Sequence, residues 1–169
     1  MNNLTLHLYT ENECSLAVKN YQLSNQINSQ HPEEVIQTSK DDPARYPVGI
    51  YDKQENLVGF MCLHVGASPD FYDMEDENYV LLRSMSIDDR YQGRGVGTES
   101  LRSIFDFISK EIDPHITDVI LAVNEKNIGA QKCYEKAGFM PRSEKKMGRL
   151  GWLIVMDKSR WIKGAEIDG

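Results

Sequence analysis

The chain has 169 residues, 40% of them hydrophobic and 27% charged, enough for one domain with a sizeable core and a balance that makes no case for global disorder. A net charge of −7 argues against a nucleic-acid protein that binds through a broad basic face, while mildly favouring a cationic partner. No apolar run approaches the roughly 18 residues that cross a bilayer, and the opening MNNLTLHLYT shows no basic-then-apolar leader, so no membrane association is expected.

In chain order, LTLHLYT (4 to 10) alternates apolar and polar residues and predicts a strand. A helical pattern follows from Cys14 to about Ile27, with a short second helix over Pro32 to Ser39. YPVGIYD (46 to 52) and LVGFMCLH (57 to 64) predict a hairpin around the polar turn DKQEN. SPDFYDMEDEN (68 to 78) is an acidic loop, and YVLLRSMSI (79 to 87) is a strand leading into a glycine-rich loop. From Gly97 to about Glu111 the sequence is amphipathic, with Leu101, Ile104, Phe105 and Ile108 on one face. DVILAV (118 to 123) suits a buried strand. NIGAQKCYEKAG (127 to 138) predicts a helix with Gly138 as its stop, and PRSEKKM with GWLIVMDK a closing antiparallel pair. Three scattered cysteines (Cys14, Cys62, Cys133) and four scattered histidines form no metal-ligand spacing; no metal site and reduced thiols in a cytoplasmic protein are expected. The expectation is an α/β (α+β) chain forming a single domain over residues 1–169, with a central mixed sheet.

YQGRGVGTESL (91 to 101) places Gly93, Gly95 and Gly97 where a strand gives way to a helix. Glycine there permits tight turning or close approach, and the first N–H groups of a helix are unpaired and carry partial positive charge. A nucleotide-hydrolase loop would need a lysine that this one lacks. The dinucleotide fingerprint would need glycine at Thr98. What remains is Q-G-R-G-V-G after a strand and opening a helix, a phosphate cradle of another type or a merely structural turn.

IDDRYQGRGVGTESL is similar to the Q/R-x-x-G-x-G/A segment of the GNAT superfamily of N-acetyltransferases, with Gln92, Gly95 and Gly97 in the defining places. LAVNEKNIGAQKCYEKAGF resembles the same superfamily's downstream motif, filled by Asn127, Ala130, Tyr134, Gly138 and Phe139. The two motifs span about residues 79 to 140. The resemblance implies a GNAT fold, a mostly antiparallel sheet of six to seven strands flanked by about four helices, and acetyl-CoA as co-substrate. It implies a coenzyme site made by Gln92, Gly93, Arg94, Gly95, Val96, Gly97 and Thr98, by the strand edge Met85, Ser86 and Ile87, and by Asn127 and Ala130. It places Tyr134 as general acid toward the departing sulfur. Each position also has a plain structural reading: Asn127 as a helix N-cap, Tyr134 as a helix-face aromatic, RSMSI as an ordinary strand, and Cys133 as packing.

The general base is not singled out; Glu75, Glu77 and Asp88 are candidates. The acidic loop, with Asp70, Asp73, Glu75, Asp76 and Glu77, could collect a multiply charged amine or simply be solvated. The stretch from residue 46 to 97 also resembles bacterial spermine/spermidine acetyltransferases. The expected partner is thus a small-molecule or peptide amine of cationic character, a polyamine first, with a protein N-terminus or an aminoglycoside as alternatives and a non-catalytic coenzyme sensor as the other class. Trp152 and Trp161 suit a homodimer contact and core packing equally. Residues 11 to 45 receive no role from the sequence.

Overall fold

The computed structural model describes residues 3–11, 14–69, 74 and 77–161. Hydrogen bonding runs through seven strands: β1 (Thr5–Leu8), β2 (Arg45–Tyr51), β3 (Leu57–Val65), β4 (Tyr79–Ile87), β5 (Asp118–Asn124), β6 (Met140–Gly148) and β7 (Gly151–Ser159), in the order β1-β2-β3-β4-β5-β7-β6. Five helices accompany them among the described residues: α1 (Leu16–Lys19), α2 (Pro32–Ser39), α3 (Val96–Arg102), α4 (Ile104–Glu111) and α5 (Ile128–Lys136). A 3-10 turn, Asp89–Tyr91, follows β4. This is the mixed, mostly antiparallel α/β architecture expected from the motifs; among the described pairings β4 and β5 run parallel.

The residues group into two compact units, one reaching to Val65 and including Leu82–Ser103, the other holding Gly66–Leu81 and the chain from Ile104 onward. In the first, β1, β2 and β3 pair antiparallel, with Leu6 opposite Ile50 and Val48 opposite Met61. Asp52 closes the β2–β3 hairpin by accepting the N–H groups of Gln54 and Asn56, both at 2.9 Å, while Glu55 takes a φ of 64°. One face of this unit buries Val18, Tyr21, Val35 and Ile36 against Phe60 and Cys62. Each such side chain contributes about 1.5–3 kcal/mol by leaving water.

In the second unit the start of β4 pairs with β5 over Tyr79–Leu81 against Asp118–Ile120. Beyond Ile120, β5 runs on to Asn124 against β7 alone among the described pairings. Leu81, Ile120 and Val155 pack together, with Met74 and Tyr79 against them.

Two predicted elements differ. The helix expected from Cys14 to Ile27 is a single turn: Ser15 caps it by accepting the Val18 N–H, and Leu16 and Ile27 are exposed. Past Lys19 the backbone bonds to side chains from the end of β4 instead, which takes the amides a continuing helix would use. The amphipathic run from Gly97 to Glu111 is two helices, interrupted at Ser103 with φ −105° and ψ 20°. Serine gains little from a helix interior, and the units divide there.

Candidate active site

The second half of β4 carries a backbone irregularity inside the strand. Ser84 adopts φ 55°, a left-handed conformation that costs a non-glycine residue about 1–3 kcal/mol and persists only where its surroundings enforce it. Its hydroxyl donates to Gln30 Oε1 at 3.1 Å. Two residues on, Ser86 is buried and its Oγ lies 2.8 Å from the Tyr21 hydroxyl. The Ser86 side chain is thus engaged inside the protein, so what Ser86 can present to a ligand is backbone, while Met85 and Ile87 beside it are half-buried. Gly59 on β3 makes room for this stretch: a Cβ there would lie 3.2 Å from the Ser86 carbonyl oxygen and 3.1 Å from Ile87 Cδ1.

Asp88 ends the strand as a fully buried carboxylate. Arg90 grips it with Nε on Oδ1 and Nη2 on Oδ2, both at 2.9 Å, and the backbone N–H groups of Gln22 and Arg90 donate at 2.8 and 2.9 Å. Burial alone would push this carboxyl up; the hydrogen bonds from Arg90 and Gln22 outweigh it and hold Asp88 below the usual carboxylate range. An acid so committed is a poor proton acceptor. The candidacy of Asp88 as general base therefore gives way to a structural role, which its spacing to Arg90 could have suggested but its hydrogen bonds to Arg90 and Gln22 decide.

The glycine loop follows directly. Gly93 and Gly95 have φ values of 77° and 78°, and a Cβ added at either would meet no atom within 4 Å. Glycine is needed here for the backbone path, and the space beside it is open. Gln92 folds back to brace the turn, its Nε2 donating to the Ile87 carbonyl at 3.1 Å and to Asp89 Oδ1 at 3.3 Å. Arg94 is exposed and stands over the Tyr91 ring at 5.4 Å. Val96 and Gly97 open α3 and are buried, with Thr98 half-buried behind them. Ser100 fixes the first turn by donating to the Gly97 carbonyl at 2.9 Å.

The other motif residues stand in the second unit. Asn127 caps α5 by accepting the Ala130 N–H at 3.4 Å, which is the plain reading of that asparagine. Gln131, absent from the sequence-level list, ties α5 to the end of β5 through the Asn124 and Glu125 carbonyls at 3.0 and 2.8 Å. The run Tyr134–Phe139 ends the helix as a Schellman motif: the Phe139 N–H bonds to the Tyr134 carbonyl at 2.9 Å, the Gly138 N–H to the Glu135 carbonyl at 3.0 Å, and Gly138 takes φ 102°. The Tyr134 and Phe139 rings meet at 5.7 Å, the apolar contact that accompanies such a cap. Half of that motif is therefore helix-stop chemistry. The Tyr134 hydroxyl is not needed for it. Burial pushes this phenol well above its ordinary value, so it keeps its proton at neutral pH.

Of the acidic stretch, Asp70, Asp73, Glu75 and Asp76 lie outside the described residues, and Glu77 is exposed. The structure brings Met85–Ile87 and Gln92–Thr98 together on one continuous segment of the first unit; Asn127, Ala130 and Tyr134 share α5 and its cap in the second. Sequence reasoning missed Ser84, Tyr21 and Gln30. A backbone dihedral leaves no mark on a serine, and the contacts join residues more than fifty positions apart.

A strand with a left-handed residue at Ser84, a glycine loop opening a helix, and a parallel neighbour that pairs for three residues fit an acetyltransferase architecture. Residues 12–139 match the acetyltransferase (GNAT) family model, and the chain belongs to that family. It is an acetyl-CoA-dependent N-acetyltransferase. Its relatives include the uncharacterised N-acetyltransferase YbbJ of Bacillus subtilis, 30% identical over 74% of this chain and 77% of that one. The spermine/spermidine N(1)-acetyltransferase of the same organism is 31% identical over 58% of this chain and 61% of its own length. Among solved structures, aminoglycoside acetyltransferase AAC(6')-Ib in complex with ribostamycin and coenzyme A aligns with a TM-score of 0.71 over 94% of each chain at 19% identity. A spermidine N-acetyltransferase SpeG chimera from Vibrio cholerae and hSSAT gives 0.66 over 94% of this chain and 96% of that one, at 18% identity. At such identities the structural likeness speaks for the fold.

Proposed function

We propose that this chain transfers an acetyl group to a primary amine of a small cationic molecule, a polyamine such as spermine or spermidine. The observation that carries the coenzyme part is the pair Gly93 and Gly95, held at positive φ with open space where side chains would be. The residues fit a coenzyme diphosphate: backbone N–H groups of Gln92–Thr98 can approach it closely, α3 begins there, and Arg94 is exposed for a charge contact. Asn127 and Ala130 would take part mainly through the start of α5, since the Asn127 side chain already caps it.

The coenzyme brings a thioester, which supplies an activated acetyl carbonyl and a thiolate leaving group. A backbone N–H of the Met85–Ile87 edge would donate to the carbonyl oxygen and support its developing charge, a contact worth about 3 kcal/mol in comparable sites. By the family resemblance, Tyr134 Oη is the group that would supply a proton to the departing sulfur. The amine must arrive or become unprotonated; with Asp88 locked, Glu75 and Glu77 remain the carboxylates for that task. The crowded carboxylates Asp70, Asp73, Glu75 and Glu77 and the sequence kinship to a spermine/spermidine acetyltransferase favour a polyamine acceptor.

Two measurements test this. Gly95→Asn keeps a residue that tolerates the left-handed conformation and meets no neighbour, so the fold should survive while the cradle is filled. Calorimetric affinity for acetyl-CoA should drop at least about tenfold; unchanged affinity overturns the loop's role. Thiol release is then followed with spermine, spermidine, aminoglycosides and peptides. Turnover confined to the polyamines supports the acceptor, turnover confined to another class replaces it, and tight binding with no turnover identifies a coenzyme sensor.

A further inference from the structure

The chain from Asn20 to His31 does not continue α1 but makes polar contacts with Ser84 and Ser86 of β4 and with Asp88 and Asp89 just beyond it. Gln30 takes Ser84, Tyr21 takes Ser86, and the Gln22 N–H takes Asp88. The Asp89 N–H returns a bond to the Gln22 carbonyl at 2.7 Å. We propose that Tyr21 is a positioning residue for acetyl transfer, holding the Met85–Ile87 edge in place through its hydroxyl contact with Ser86. The inference rests on the reading of that edge as the place where the thioester carbonyl is bound.

Three features single out this contact within the row. It is the deeply buried one, with Tyr21 at 4% and Ser86 at 6% exposure, so no water substitutes for either hydroxyl. Tyr21 is itself held: its carbonyl oxygen accepts from His31 Nε2 at 2.8 Å, and the His31 ring meets the Tyr21 ring edge-on at 5.7 Å. The His31 tautomer is fixed for this, because Nδ1 accepts the Glu33 N–H and leaves the proton on Nε2. Finally, the contact sits two residues after Ser84, whose φ of 55° would relax unless the strand beyond it were pinned. Displacement of a strand edge by a fraction of an ångström moves an N–H donor off the carbonyl it serves.

The test is a double-mutant cycle on the whole chain with Tyr21→Phe, Ser86→Ala and both together, using the amine that turns over best in the panel above. Each single variant should lower kcat about tenfold, with acetyl-CoA affinity in calorimetry within about twofold of wild type. The double variant should be no slower than either single one, and amide hydrogen exchange at Met85–Ile87 should quicken in all three. An unchanged kcat in Tyr21→Phe overturns the inference, whether or not its thermal midpoint falls. Losses that multiply in the double variant overturn it as well. A wild-type chain that releases no thiol with any amine overturns the underlying reading and this inference with it. Normal wild-type turnover with an unaltered Tyr21→Phe rate overturns this inference alone.

Discussion

Single side chains divide here into those the fold consumes and those it leaves for chemistry. Tyr134 serves the cap of α5 with its ring, while its hydroxyl takes no part in that cap and is the group proposed to donate a proton. Tyr134→Phe keeps the 5.7 Å ring contact with Phe139 and should leave thermal stability unchanged, while steady-state turnover falls about 10²-fold. Equal turnover in the two proteins would remove the phenol from the reaction. Asp88 is the opposite case. Its carboxyl is held below the ordinary value, so the stability it contributes is fully present above the unfolded-state value of 3.8 and disappears as pH falls through the lower folded value. Asp88→Asn should cost about 1–3 kcal/mol at neutral pH, by weakening the contacts to Gln22 and Arg90. Urea melts at successive pH values should show the gap between wild type and variant closing below about pH 4; a gap that stays constant in acid would contradict the ion pair.

At the scale of elements, the decisive features are the ones that stop a strand or a helix. Gly138 terminates α5 at φ 102°, and the nearest atom to an added Cβ is the flexible Lys158 Cε at 3.2 Å. The cost of Gly138→Ala therefore comes chiefly from the backbone and should be about 1–2 kcal/mol in chemical denaturation. A neutral substitution would mean that the Schellman geometry is not maintained in solution. The β4 terminus works differently. There a strained serine, a buried carboxylate and a glycine loop follow within twelve residues, and the segment 20–31 is spent on holding them. That expenditure explains why an amphipathic pattern running from Cys14 ends after one turn: the amides of Gln22 and Ser24 are bonded to Asp88 and Asp89.

For the whole molecule, the net charge of −7 bears on the acceptor. If a polyamine is drawn in by carboxylates, its KM should rise several-fold between about 0.05 and 0.5 M salt while the kcat stays nearly constant. A KM indifferent to salt would point to an acceptor recognised by shape or hydrogen bonding. The sequence by itself determined the family, the strand ends and the places of the two glycine-marked turns, because periodicity, glycine at positive φ and a helix stop such as YEKAGF are local properties written in neighbouring residues. It could not separate the cap contact of the Tyr134 ring from the role proposed for its hydroxyl, since ring and hydroxyl are one letter. Only the tertiary structure decided that Asp88 is locked, that Ser86 offers backbone alone, that Ser84 is strained, and that residues 20–31 brace β4. Each of these depends on a partner more than fifty positions away or on a burial that no local pattern encodes.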